Sequence, residues 1–201
     1  MWGKMIIRNI NGAVIAHSDE KTLRRAAEYC VMQNMDLSGA DFRGGRLRGA
    51  ALDGMRGKDA CFWSADLTNS DLGLADLRGA YFSSTILEGA VLDGAKISCP
   101  SFWSCDLQNI KSMHGLIYSH RGEVDISLNR PPLVVRGLPQ RLVLLPGFCL
   151  WGSWIYPAGD MPADLRHALK SAGASMTDML RRSVRNAKPH IPKINGAEAA
   201  F

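Results

Sequence analysis

The 201-residue sequence has few of the features by which an enzyme declares itself. It contains no G-x-x-x-x-G-K-[S/T] loop, no G-x-G-x-x-G turn after a strand, no H-E-x-x-H helix and no G-x-S-x-G elbow. That sets aside the commonest signatures of phosphate, dinucleotide, zinc and serine-nucleophile chemistry. The five cysteines, Cys30, Cys61, Cys99, Cys105 and Cys149, are odd in number and form no C-x-x-C pair, so reduced thiols are expected in place of a disulfide framework or a zinc cage. The five histidines are scattered, and the one loose grouping, His114, His120, Glu123 and Asp125, matches no metal-ligand spacing. No apolar run approaches the roughly 20 residues of a spanning helix. Residues 1–10 carry Lys4 and Arg8 without the long apolar stretch and small-residue cleavage site of a secretory signal. The expectation is a cytoplasmic protein with no membrane contact, no metal, no cofactor and no catalytic residue.

The composition that remains is that of a folded chain, 46% apolar and 21% charged with a mean hydropathy of -0.07. The net charge of +5 is unevenly spread: residues 1–34 hold five basic and three acidic side chains, residues 35–109 seven and ten, and residues 110–201 twelve and six. The basic excess falls late in the chain, where Arg166, Lys170, Arg181, Arg182 and Arg185 gather. Such a patch can meet phosphate or an acidic protein, but it more often forms a solvated helix face, and nucleic acid is disfavoured as a partner.

From residue 35 to residue 109 the chain divides into fifteen consecutive pentads without an insertion. The pentad centres are large and apolar, as in Leu37, Phe42, Leu47 and Leu52, with the single exception of Gly57. Two positions before the centre the residue is nearly always small, as in Ala40, Gly45, Ala50, Ala60 and Ala65. A period of five fits neither the 3.6 of a helix nor the 2.0 of a strand. It calls for a coil that turns a corner every five residues, with the small and the large residue inside and three outside. Phe42, Phe62, Phe82 and Phe102 are the four phenylalanine centres and recur at intervals of twenty, which supports four sides per turn and makes this column the structural core.

With its A-[DN]-L-x-x signature, as in Ala40-Asp41-Phe42 and Ala75-Asp76-Leu77, this stretch resembles the pentapeptide repeat family. The resemblance implies a right-handed quadrilateral β-helix of just under four turns, about 18 Å long at the ~4.8 Å spacing of stacked strands. The degenerate pentad at 55–59 predicts a cavity partly filled by Met55, or a local bulge.

Asn11-Gly12 between two apolar runs predicts an N-terminal hairpin, and Ser18 or Asp19 is expected to start a helix with the apolar face Leu23, Ala26, Ala27 and Cys30. This ββα lead-in resembles proteins commonly encoded by phages and prophages. After Asn109 the pentad phase is lost. Short apolar runs then predict a small antiparallel sheet across 110–160, helices within 161–188 and a flexible tail at 189–201. The expected fold class is therefore mainly β: a pentapeptide repeat solenoid with a hairpin-helix cap at 1–34 and a small C-terminal β-plus-helix domain.

The residue after each inward Phe points outward, so Arg43, Trp63 and Trp103, with Tyr81, should form an aromatic wall whose tryptophans stand about 10 Å apart. Exposed aromatics on a rigid wall mark a partner-binding hot spot, unless the C-terminal region or a second copy of the chain covers them. The expected function is a non-catalytic interaction protein of the phage accessory kind, docking on a host protein or defence complex to modulate or inhibit it, with a homodimer also considered. The alternative is a DNA mimic acting on DNA gyrase, a type II topoisomerase that some proteins of this kind bind through an acidic face, here Asp66, Asp71 and Asp76. The shortness of the coil and its charge of only -3 depart from that pattern. A small enzyme is the remaining alternative.

Overall fold

A computed structural model of the chain describes residues 5–98, 109–120, 124–128, 133–135, 138–139, 142–145, 148–151, 154–157 and 162–172. They fall into two compact units, residues 1–130 and 131–201.

The first unit is the coil. Parallel bridges join residues twenty apart on four successive sides: Asp36 to Arg56 to Asp76, Asp41 to Cys61 to Tyr81, Arg46 to Asp66 to Ile86, and Ala51 to Asp71 to Val91. Each side is too short to be a conventional strand. Only Asp76–Leu77 (β3) and Lys96–Ser98 (β4) extend beyond a single bridge. The backbone is nevertheless paired as in a sheet: Phe42 donates its N–H to the Cys61 carbonyl at 2.8 Å, and Cys61 donates to Ala40 at 2.8 Å.

Inside, side chains twenty residues apart lie on top of one another. The Phe42 and Phe62 rings stack with centroids 5.1 Å apart, and Phe62 and Phe82 at 5.0 Å with only 4° between their planes. Phe102 lies outside the described residues. Leu47, Leu67 and Leu87 line the next side and Leu52, Leu72 and Leu92 the one after, all buried. Each such side chain contributes about 1.5–3 kcal/mol through the apolar surface it removes from water. The degenerate pentad exchanges its large and small positions: Met55 stands where a small residue is usual and Gly57 where a large one is. A Cβ on Gly57 would come within 2.8 Å of the Met55 methyl carbon, so Met55 fills the place of the missing side chain, and the bridges through Arg56 continue without a bulge.

Every corner among the described residues from 39 to 94 contains one residue in the left-handed region, and this is why glycine is frequent at that place in the pentad. At Gly79 (φ +76) the freedom is doubly required, because the Asp59 carboxylate lies where a Cβ would project. Leu74 occupies the equivalent conformation at φ 55 with its side chain 73% exposed, a geometry that costs a branched residue about 1–2 kcal/mol.

The first coil would leave unpaired amides at its open end. Met5–Arg8 (β1) and Val14–Ser18 (β2) form an antiparallel hairpin, and the Arg8 carbonyl accepts the Asp41 N–H at 2.7 Å. Leu23–Met32 (α1) supplies a second substitute: Glu28 Oε1 accepts the Ala51 N–H at 3.2 Å. Two details differ from the sequence-based expectation. Asn11-Gly12 does not form a two-residue turn; residues 10–12 make a three-residue loop, with Gly12 at φ +84 and the Asn9 side chain accepting from Asn11 and Ala13, an arrangement that adds a bulge. The helix is capped by Thr22, whose hydroxyl accepts the Arg25 N–H at 3.3 Å, because Ser18 is already used in a local turn with Glu20.

The expected boundary after Asn109 also moves. Val91 bridges Ser112, β4 pairs in parallel with Leu116–His120 (β5), and both pairings span twenty-one residues where earlier coils span twenty. One extra residue destroys the pentad phase without ending the coil. Val124–Leu128 (β6) then pairs antiparallel with β5 and covers its edge, so residues 110–128 belong with the solenoid and not with a separate antiparallel region.

The second unit is an antiparallel meander of Leu133–Val135 (β7), Leu142–Leu145 (β8), Phe148–Trp151 (β9) and Trp154–Pro157 (β10), followed by Ala163–Ser171 (α2). Leu142, Cys149 and Trp151 form its core with Leu165 and Leu169 of α2, and the Trp151 indole donates to Asp164 at 2.6 Å. The second expected helix and the tail lie outside the described residues.

Two measurements check this account. Phe62→Ala should destabilise the protein by roughly 3–5 kcal/mol in denaturant titration, since Phe62 stacks on both faces and is fully buried. At Glu28, burial raises the pKa, but the Arg24 hydrogen bond, the Ala51 amide and the nearby guanidinium groups outweigh it and hold the carboxyl below its ordinary 4.5. A depressed folded-state pKa gives stability that is present above the ordinary value and lost as pH falls through the lowered one. The stability gap between wild type and Glu28→Gln should therefore be widest above about pH 5 and close on acidification.

Candidate functional site

The pentad alternation that turns Phe62 and Phe82 inward turns Trp63 and Tyr81 outward on the same wall in successive coils. Trp63 is 49% and Tyr81 47% exposed. Around the corner Ile86 adds a third apolar side chain, 51% exposed. Sequence reasoning missed Ile86 because it followed the column of Phe-flanking positions and not the neighbouring side. Arg43 lies one coil before Trp63, its guanidinium gripped by Asp41 through bonds of 2.8 and 2.6 Å. Cys61 sits half-buried in the bridge between Asp41 and Tyr81. Trp103 lies outside the described residues, so the patch on view is Trp63, Tyr81 and Ile86.

Asp66, Asp71 and Asp76 occupy three consecutive sides and do not share a face. Each uses its carboxylate locally: Asp66 accepts the Thr68 N–H at 3.0 Å, Asp71 the Gly73 N–H at 2.9 Å, and Asp76 the Arg78 side chain at 2.8 and 2.6 Å. The Thr68 hydroxyl on Asp66 and the Arg78 guanidinium on Asp76 hold both carboxyls below the usual range. Aspartate recurs here because an outward carboxylate before a corner can accept the amide two residues on, as Asp36, Asp41, Asp66 and Asp71 do.

On α2, Arg166 and Lys170 are exposed; Arg181, Arg182 and Arg185 lie outside the described residues. His114 meets Asp93 through its backbone N–H, at 2.7 Å, and not through its imidazole. Among the described residues no three His, Cys, Asp or Glu side chains converge as metal ligands, and no helix is long and apolar enough to cross a membrane.

This geometry defines a class: a four-sided β-solenoid with one pentad per side, capped by a hairpin and helix. Residues 36–73 and 75–111 match the family model for pentapeptide repeats, in eight copies. The solenoid segment of this chain belongs to the pentapeptide repeat family. The match runs past Asn109, as the coil does. A pentapeptide repeat protein from the thylakoid lumen of Arabidopsis thaliana, known from its crystal structure, is 26% identical over 40% of this chain and 63% of its own, with a TM-score of 0.27. The chain thus spans under two thirds of that protein's length. No curated protein matches it.

Burial alone raises the thiols of Cys30 and Cys149, the latter to about 11. At neutral pH only about one part in ten thousand of the Cys149 thiol is thiolate. Iodoacetamide should therefore modify Cys61 well before Cys30 or Cys149 in the native protein, and the order should collapse in denaturant, as read by peptide mass spectrometry.

Proposed function

We propose that the protein is a non-catalytic docking protein whose contact surface is the wall bearing Trp63 and Tyr81. What carries this reading is the pairing of two large aromatic side chains, each about half exposed, on adjacent coils of a scaffold whose interior is close-packed. A rigid wall holds its aromatics in place before binding, so little conformational entropy is lost on contact, and aromatic anchors of this kind dominate interface energetics. In its finer form the proposal makes the chain an accessory factor of the phage or prophage kind that docks on a host protein complex and modulates it. The DNA-mimic alternative rests on Asp66, Asp71 and Asp76, and their distribution over three sides supplies no continuous acidic track.

The test is affinity capture from bacterial lysate with wild type and a Trp63→Ala, Tyr81→Ala double variant, each checked for an unchanged melting temperature. Capture of one protein or complex by wild type, reduced at least tenfold in the variant, is the expected outcome. Equal capture by both proteins rejects the wall as the contact surface. Recovery of the chain alone, with light scattering showing a dimer that the variant lacks, makes the wall a self-contact. Gyrase inhibition that weakens on neutralising the three aspartates would revive the mimic.

A further inference from the structure

Five arginines line one cleft at the capped end of the solenoid. Arg24 and Arg25 come from the first turn of α1, and Arg43, Arg46 and Arg48 from the first coil, around a volume of about 670 Å³. Helix and coil are in direct contact here: Arg24 Nη1 donates to the Arg48 carbonyl at 3.2 Å. The Leu23 side chain lies over Gly45, where a Cβ would come within 3.0 Å of it and 2.8 Å of the Phe42 carbonyl oxygen. Glycine at this corner therefore lets the helix end settle between the arginines.

The charge in the cleft is not balanced from within. Glu28 serves both Arg24, at 2.9 Å, and Arg25, at 3.6 Å, and Asp41 serves Arg43. Asp66 is within electrostatic reach of Arg48, but among the described residues Arg46 and Arg48 make no ion pair. The helix adds to the imbalance, since α1 has two arginines and no acid in its first turn, where the dipole already places partial positive charge. Like charges gathered this way destabilise the free protein, and an anion in the cleft would relieve them.

The surroundings limit the size of that anion. One coil further along the same outward columns, Arg43 is followed by Trp63, Arg46 by Asp66 and Arg48 by Thr68. The basic surface thus ends after a single layer, about 5 Å deep, whereas a nucleic-acid backbone needs a basic track many phosphates long. Planar guanidinium forks grip phosphate oxygens in pairs, and the volume lies in the range of small-ligand sites. We propose that this cleft binds a compact oligophosphate, either the di- or triphosphate group of a nucleotide or the free inorganic anion. The site is independent of the aromatic wall, which it meets only at Arg43.

The experiment is isothermal titration calorimetry of the full chain at low ionic strength with inorganic triphosphate, orthophosphate, a nucleoside triphosphate and a short DNA duplex. The variants are Arg46→Gln with Arg48→Gln, which break no ion pair, and Lys96→Gln on a distant coil as control. The expected result is one triphosphate per chain, bound at least tenfold more tightly than orthophosphate, weakened at least tenfold in the double variant and within twofold of wild type in Lys96→Gln. A nucleoside triphosphate that binds more tightly than the inorganic anion identifies a nucleotide as the source, and equal affinities identify the free oligophosphate. Binding too weak to detect at millimolar triphosphate, equal losses in both variants, or tighter binding of duplex DNA would each overturn the proposal. A double variant that melts with wild-type midpoint but no longer gains stability from added triphosphate gives a second readout.

Discussion

Along each side, peptide N–H groups of one coil must meet carbonyls of the neighbouring coils while the chain turns a corner every five residues, and the rest of the repeat unit follows from that. The ladder is satisfied only if pairing partners stand twenty residues apart, so inward side chains of successive coils fall on top of one another. Stacked phenylalanines at 5.0 Å are the visible result. Because the interior is only two side chains wide, a change at one level is felt at its neighbours. Met55 and Gly57 show how tightly this binds: an enlarged small position is tolerated because the adjacent large position is emptied, and the bridges above and below keep their register.

The same ladder creates the protein's main hazard, since both ends of the coil present unpaired strand edges. At the first coil, the edge is met by groups of different kinds, a hairpin carbonyl at Arg8 and a carboxylate at Glu28. At the other end, β6 adds an antiparallel strand to the last coil. Capping with a helix has an electrostatic consequence: Glu28 has to sit near the coil amides, and the arginines that hold it there bring positive charge to a segment whose net charge is negative. Charge counted by segment conceals this. Arg43, Arg46 and Arg48 cluster in the first coil, while the corner-accepting Asp66, Asp71 and Asp76 follow in later coils.

The outward surface obeys different rules from the inward one. Inside, size and shape are imposed by the stack. Outside, only the aspartate before a corner and the residue at the left-handed position are constrained by the backbone, which leaves Trp63, Tyr81 and Ile86 free to vary. These three apolar side chains stand half-exposed at positions where the fold asks for none, on a wall whose interior is close-packed.

The pentad pattern, with Phe recurring every twenty residues, by itself determined the four-sided coil, the inward and outward faces, the stack of Phe42, Phe62 and Phe82 and the exposure of Trp63 and Tyr81, because side chains at that interval fall on the same side of successive coils. It did not reveal where the coil ends, since one extra residue shifts the phase while the hydrogen-bond ladder absorbs it. The true helix start at Thr22 was hidden because Ser18 is an equally good cap in isolation, and only its use in the turn with Glu20 removes it. The arginine cleft was hidden for a related reason: Arg24 and Arg25 stand some twenty residues from Arg43, Arg46 and Arg48 in sequence. No local pattern joins them. They meet because α1 must lie across the first coil to satisfy its open edge, a requirement that exists only once the chain is folded.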